Sequence, residues 1–367
     1  MIFSSLLVKV LEVVRKAELS LISQSLDHEY LPQDGHAEFL RCSQALMFGP
    51  ESLALAEGRV HSIQGISGTG SLRLATEFIS HLMPGRTCYY PAVTWPAHPT
   101  ICEESHLQHN TYRYVDSTGI TLDFDSLIED LNRCPPKSII LLHNCAHNPT
   151  GVDPTNEQWQ KIAEVMKERD LFPFFDNAYQ GFVSGCPNTD AYAVRLFANL
   201  GFEMIIACSF AKNFGLYGER VGALHFVVSD KETIPAIASQ LRVLSRSLYS
   251  TCPSYGARIV ATVLSDPTLK SEWEVQCREM AERLSGVRDS LHTALVQKNV
   301  KGEWSHIVKQ RGMFSYTGIQ APVVARLKSD FHIYMLSNGR ISLAGLNQGN
   351  IGRFADALAE ILGQNEA

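Results

Sequence analysis

Four short stretches hold residue types able to do chemistry on a ligand. In Cys208–Gly222, Lys212 follows an apolar run and stands among Phe210, Phe214 and small residues, with Ser209 three positions before it and Arg220 eight after. A lysine in an apolar pocket loses its proton and can attack a carbonyl as a Schiff-base nucleophile. Most lysines are solvated, so this residue alone decides nothing. In Phe174–Gly181, Asp176 closes a second apolar run and Tyr179 follows three residues later. A carboxylate there either finds a partner, because an unpaired buried charge is costly, or caps the next turn from the surface. The run Ile66-Ser67-Gly68-Thr69-Gly70-Ser71 precedes a helical pattern that starts at Leu72. Small residues and free N–H groups at a helix start suit a phosphate, although such clusters are more often plain turns. The run matches neither glycine-rich nucleotide motif. In His143–Gly151 an apolar run ends in His143, His147 and Asn148. A simple turn at Asn148-Pro149-Thr150-Gly151 is the preferred reading there, and no metal site is expected.

Taken together, the four stretches describe one ligand. It has a phosphate, a carbonyl that condenses with lysine and a ring nitrogen that wants a carboxylate. Pyridoxal 5′-phosphate has all three. Asp176 would keep its ring nitrogen protonated, Tyr179 would bond the ring oxygen and Trp95 would stack on the ring face.

The surrounding elements must bring these residues together. Thr87–Tyr90, Ser138–Leu142, Phe172–Phe175, Met204–Cys208 and Ala223–Val228 read as strands, with helical patterns such as Gln158–Arg169 and Ala191–Asn199 between them. That alternation predicts βαβ units and a mainly parallel sheet, whose ligands collect beyond the carboxyl ends of the strands. Near-continuous apolar strands fit a sheet covered on both faces. Leu7, Val10, Leu11, Val14 and Leu21 fall at helical spacing. A long mixed-charge helix over Leu269–Gln297 is the expected bridge into a smaller C-terminal unit. A length of 367 residues suits two such domains. The net charge of −6 excludes a generally basic nucleic-acid binder. None of the nine cysteines forms a C-x-x-C pair, and they read as reduced thiols of a cytosolic protein. No apolar run reaches the length of a membrane span.

On His143–Gly151, Phe174–Gly181 and Ser209–Gly222, in that order, the chain resembles the aspartate aminotransferases, a group of class I pyridoxal-phosphate aminotransferases, and the cytosolic animal type most closely. The resemblance runs from about residue 7 to the C-terminus. It implies an α/β fold-type I pyridoxal-phosphate transferase, with a large cofactor domain over 7–279 and a small domain over 280–367. It further implies a cytoplasmic homodimer with active sites at the subunit interface, and amino-group transfer between aspartate or glutamate and 2-oxoglutarate or oxaloacetate. Lys212 would carry the cofactor and move the proton, with Asp176 and Tyr179 as its catalytic companions. Ser67, Gly68, Thr69, Ser209 and Arg220 would hold the phosphate, and Tyr30 would reach the partner subunit's phosphate. Trp95 and Asn148 would touch cofactor and substrate, and His143 would support Asp176. Arg340 would clamp the substrate α-carboxylate, while Arg246 would take the side-chain carboxylate across the dimer. Phe314 would pack near the substrate or in the small-domain core.

The sequence also departs from the family. It starts after an N-terminal stretch that supplies a dimer arm, a closing loop and the first part of the small domain, so a shortened form with weak turnover is expected. Ala211 replaces a hydroxyl residue, Gly218 an asparagine, and Pro96 and Ala97 alter the segment after Trp95. Two alternatives therefore stay open: a weak or silent homologue that acts through assembly, and an aspartate racemase.

Overall fold

Seven strands form the central sheet of the computed structural model, which describes residues 10–363. They are β1 (Val60–Ile66), β2 (Cys88–Pro91), β3 (His109–Tyr112), β4 (Ile139–His143), β5 (Phe172–Asn177), β6 (Met204–Ser209) and β7 (Val221–Val227), in the order β1-β7-β6-β5-β4-β2-β3. The run β3-β2-β4-β5-β6 is parallel, and β7 is antiparallel to both β6 and β1. The expected mainly parallel α/β sheet is therefore present, with two strands added at one side. Each of the five strands read from the sequence appears within two residues of its predicted ends.

Alternate strand residues feed two apolar cores, as the period of two requires. Ile140, Leu142, Phe175, Ile206 and Ala223 face one core. Ile139, Leu141, Phe174, Ile205 and Leu224 face the other. Helices cover both faces; in Ser67–Leu82, the residues Leu72, Ala75 and Ile79 recur at helical spacing and join the second core. Fully burying a side chain of this size contributes roughly 1.5–3 kcal/mol, so the sheet edge is held rigidly in place.

Asp266 starts the long helix Pro267–Gln297, its carboxylate accepting from the N–H groups of Thr268 and Leu269 with Pro267 in the first turn. The 31 residues span about 46 Å. Trp273 and Cys277 pack in the first core, while Leu284, Leu291 and Leu295 pack in a third with Leu327, Phe354 and Leu358. That third core also covers the two-stranded ribbon of β8 (Phe314–Tyr316) and β9 (Arg340–Ser342). The expected N-terminal helix runs over Glu12–Ser23; Leu7 lies outside the described residues, and Val10 precedes the helix. Among the described residues, no helix is long and apolar enough to cross a membrane.

Candidate active site

The register of the sheet gathers the predicted residues at one edge. Ile66 pairs with Val221, Ser209 with Gly222, Asn177 with Cys208, and His143 with Asp176. The carboxyl ends of β1, β4, β5 and β6 therefore lie side by side with the start of β7.

Ser67 opens its helix, five residues before the predicted start at Leu72, because the small residues form a helical first turn rather than a loop. Ser67 is left-handed at φ +59°, and its Oγ lies 3.1 Å from Ser209 Oγ. The backbone packs tightly here. A Cβ on Gly222 would lie 2.5 Å from the carbonyl of Ser67, and one on Gly68 would lie 3.1 Å from the Cβ of Ser209. Arg220 enters from the same turn; its carbonyl accepts the Ser67 N–H at 3.0 Å, and its guanidinium donates to Tyr217 O at 2.9 Å. No acidic residue occupies the first turn of the 16-residue helix. Two hydroxyls, an arginine and a helix N-terminus thus form an anion cradle. Thr69 is exposed beside it. Ala211 N–H donates to Ser209 Oγ at 3.2 Å.

Asp176 is 8% exposed at the end of β5, and its Oδ2 accepts from His98 Nε2 at 3.0 Å. His143 is the sheet neighbour of Asp176, yet its ring nitrogens are committed elsewhere: Nε2 lies 3.2 Å from Thr94 Oγ1, and Nδ1 accepts the Asn148 N–H at 3.4 Å. Thr94 Oγ1 also lies 2.8 Å from His98 Nδ1. Following donors through these contacts gives one direction: Asn148 N–H to His143, His143 Nε2–H to Thr94, Thr94 O–H to His98, and His98 Nε2–H to Asp176. Burial pushes the Asp176 carboxyl up, but the His98 hydrogen bond and the charges around it outweigh burial and hold it below its ordinary value. Burial, reinforced by His98, takes His143 down to about 3.

The helix Ala97–Glu104 carries His98 in its first turn, and the Trp95 ring meets the His98 ring edge-on at 5.4 Å. Neither His98 nor Thr94 was singled out from the sequence. The available signal is spacing, since His98 stands three residues after Trp95 at a helix start, the separation that puts two side chains on one face. His147 is buried, stacked on Tyr114 at 4.0 Å between ring centroids, with Nδ1 2.7 Å from Thr150 Oγ1; the turn reading therefore holds a packed ring.

Lys212 follows β6, its Nζ 5.3 Å from the centre of the Tyr179 ring. Burial pushes its ammonium below the ordinary value, Asp176 opposes that, and Arg220 adds to it. Tyr179 is buried and raised, first by burial and then by Asp176, with Arg340 acting against both. Arg340 reaches the same edge from the ribbon, donating through Nη1 to Asn148 Oδ1 at 3.0 Å, with its Cζ 4.4 Å from the centre of the Phe314 ring. Asn148 thus joins the Asp176 chain of hydrogen bonds to Arg340. Buried Arg288 fixes the strand beneath, donating to the carbonyls of Ile307, Gly312 and Phe314 at 2.7–2.9 Å. Arg246 is exposed in the last turn of the helix Ile234–Tyr249, and Tyr30 is 80% exposed; neither makes a hydrogen bond or ion pair to this cluster among the described residues. Among those residues, no group of three or more histidine, cysteine or acidic side chains could hold a metal ion.

Known proteins carry the same overall structure. The aminotransferase class I and II family matches residues 4–358. A cytoplasmic aspartate aminotransferase of Oryza sativa is 47% identical over 350 residues, covering 95% of this chain and 86% of the relative. The solved aspartate aminotransferase of Saccharomyces cerevisiae cytoplasm superposes with a TM-score of 0.94 at 39% identity, covering 97% of this chain and 88% of that one. The aromatic-amino-acid aminotransferase of Burkholderia pseudomallei, solved covalently bound to pyridoxal phosphate, superposes at 0.94 with 38% identity, covering 96% of this chain and 88% of that one. Sequence, sheet order and the residues gathered at the sheet edge agree: the chain belongs to the class I and II aminotransferase family.

Proposed function

We propose that this chain is a pyridoxal-phosphate-dependent aspartate aminotransferase, moving an amino group between aspartate or glutamate and 2-oxoglutarate or oxaloacetate. One observation carries the reading: a buried, hydrogen-bonded carboxylate, Asp176, and a desolvated lysine, Lys212, share a sheet edge with the Ser67–Ser209 anion cradle.

The donor set fits the cofactor. The Ser67 and Ser209 hydroxyls, Arg220, Gly68, Thr69 and the helix start suit its phosphate. Asp176, charged and fed by His98, suits its protonated ring nitrogen, and Tyr179 its ring oxygen. Trp95, Asn148 and Lys212 complete the set. When bound, the cofactor supplies an electron sink for negative charge at the substrate Cα.

The protein's own residues supply the rest. Lys212 Nζ, unprotonated more readily because it is desolvated, takes the Cα proton. The chain from Asn148 to His98 keeps Asp176 ionised, so the charge opposite the ring nitrogen is fixed before substrate arrives. Arg340 holds the α-carboxylate through its planar fork, with Phe314 and Asn148 fixing the guanidinium plane. We assign the side-chain carboxylate to Arg246 and the partner subunit's phosphate to Tyr30. Their exposure supports a homodimer in which both act across the interface.

A division into 7–279 and 280–367 belongs to the same reading and is supported by the separate apolar core around Leu291 and Leu358. So does a cytoplasmic location, supported by nine free cysteines, eight of them buried, and by the names of the rice and yeast relatives. The test is the visible spectrum of the purified protein loaded with pyridoxal phosphate. L-aspartate should shift the band of the lysine-linked cofactor to that of its amine form, and Lys212→Ala should abolish the starting band. A bound cofactor that does not respond to saturating aspartate would sink the assignment.

A further inference from the structure

The amino ends of the parallel strands carry a second group of cations. β2 and β4 are parallel with Cys88 opposite Ile139, and the Ile139 N–H donates to Thr87 O at 2.9 Å. Arg86 and Lys137 each stand two residues before that pair, so the turns feeding the two strands set them side by side. Both line one hollow of about 480 Å³. Its size falls within the range of roughly 300–1,000 Å³ for small-molecule sites. Leu82, Met83, Pro84, Pro135 and Pro136 supply an apolar wall, and no carboxylate lines it. Arg86 is half-buried, with its Cζ 5.6 Å from the centre of the Phe172 ring. That contact occupies one face of the guanidinium and leaves its edge N–H groups open. The Arg86 and Lys137 side chains and the Thr87 hydroxyl have no hydrogen bond or ion pair among the described residues. Lys137 also holds a left-handed backbone at φ +67°, a conformation that suits glycine or asparagine, with its N–H fixed on Asp170 O. Prolines restrict φ in both turns, so rigid segments present the two cations. A neighbouring hollow of about 410 Å³ shares Arg86 and Lys137 but adds Lys167, Asp170 and Glu203. There Lys167 is engaged with Leu200 O at 3.0 Å, and the two carboxylates offset the positive charge. The first hollow is the one whose positive charge is uncompensated.

We propose that this hollow binds small phosphate monoesters with an apolar or aromatic body, the phosphate dianion bridging Arg86 and Lys137 and accepting from the Thr87 hydroxyl. Charge selects the head group: two adjacent cations without counter-ions pair best with a doubly charged oxyanion, and the planar fork of arginine suits phosphate. The wall of Leu82, Met83 and the prolines selects the body, because apolar surface removed from water adds to affinity. His143 and Asp176 stand at the carboxyl ends of β4 and β5, whereas Lys137 precedes β4 at its amino end. A ligand held here is therefore neither the substrate nor the cofactor, and the binding does not rest on the enzyme assignment.

Phenyl phosphate above its second ionisation is the probe, titrated calorimetrically into protein loaded with pyridoxal phosphate, so that the Ser67–Ser209 cradle is already filled. Benzenesulfonate, with the same ring and one charge, and inorganic phosphate, with no apolar body, are the controls. Phenyl phosphate should bind at least about tenfold more tightly than either, through one more charge-assisted contact in the first case and the buried ring in the second. Lys137→Gln should weaken it about tenfold. Leu82→Glu, which sets a carboxylate on a 41% exposed position of the wall, should weaken it by a similar factor, about tenfold. Lys167→Gln lies in the neighbouring hollow and should change the affinity by less than about threefold. Unchanged urea midpoints in these variants identify each loss as one of binding. No heat at millimolar phenyl phosphate, equal affinities for phosphate and sulfonate, an unchanged affinity in Leu82→Glu, or a loss in Lys167→Gln as large as in Lys137→Gln would overturn the proposal. So would release of bound cofactor during the titration, since the ester would then occupy the cradle. If aspartate leaves the cofactor spectrum unchanged while phenyl phosphate binding still depends on Lys137 and Leu82, the enzyme assignment fails and this site stands.

Discussion

His98→Leu removes the one side-chain hydrogen bond to Asp176 among the described residues, which helps hold the carboxyl below its ordinary value. Leucine roughly preserves the volume, so the loss is electrostatic rather than a large cavity. A hydrogen bond to a charged group is worth about 1.5–3 kcal/mol, which corresponds to about one to two pH units of carboxyl titration. Burial already pushes Asp176 up, and without His98 the smaller pulls of His143 and Lys212 are what remain against it. A carboxyl whose folded value is depressed keeps its charge until the pH falls through that value, so the acid limb of activity should move upward by about one to two pH units. Activity near neutrality should change less than activity on that limb, because a carboxyl that starts below its ordinary value and rises by about one to two units is still ionised there. The assay is the pH profile of aspartate turnover, with the cofactor dissociation constant measured in parallel. His98→Gln, which keeps an N–H, should recover part of the shift. His143→Gln acts through Thr94 and should move the profile less. A folded His98→Leu protein with the wild-type profile, or a larger shift in His143→Gln, would refute the reasoning, because His98 would then not be the group that holds Asp176 ionised.

Three other outcomes follow from the same geometry. Gly222→Ala would force a Cβ to within 2.5 Å of the Ser67 carbonyl, so cofactor affinity should collapse, whereas Gly218→Ala, with nothing within 4 Å, should leave it intact; equilibrium dialysis decides. Arg288 is lowered to about 10 by burial and is still charged at neutral pH, so Arg288→Met leaves three carbonyls, two buried and one half-buried, without their donor. That should cost roughly 3 kcal/mol, about 1 for each bond, and raise KM for aspartate by loosening Phe314 under Arg340; urea unfolding and steady-state kinetics check the two parts. His143 and His225 both sit near 3 in the fold. The unfolded chain holds their protons up to about pH 6.5, so their contribution is complete above that value and is lost as pH falls toward 3, at about 1.4 kcal/mol per pH unit for each. Urea midpoints measured from neutral pH downward should decline, with a shallower slope in His225→Gln, and a flat series would contradict both assignments.

The strands that were legible are those buried on both faces. Ile139–Leu142, Phe174–Phe175 and Met204–Cys208 are apolar without interruption, and no helix of that length competes with them. β1 was not read, because Val-His-Ser-Ile-Gln-Gly-Ile carries three polar residues, two of which, Ser62 and Gln64, find their partners only in the folded chain. Ser62 Oγ lies 2.6 Å from His225 Nδ1, and Gln64 bonds His36 N and Pro253 O. β3, His-Asn-Thr-Tyr at the sheet edge, is polar for a different reason, since one of its sides faces solvent. Asp176, Ser209 and the Ser67 turn stood out because each closes an apolar strand or opens a helix, and Lys212 because it follows such a strand among aromatic and small residues. His98 was not, because its partner lies 78 residues away and only the packing of Ala97–Glu104 against the sheet brings them together.

The central claim is that Lys212, Asp176 and the cradle form a working amino-transfer site. The most direct measurement is a single half-reaction: cofactor-loaded protein mixed with L-aspartate in the absence of any oxo acid, with oxaloacetate counted per subunit. About one equivalent should form in the wild-type chain and none in Lys212→Ala, as one lysine per site requires. No oxaloacetate from a fully loaded wild-type protein would contradict the account.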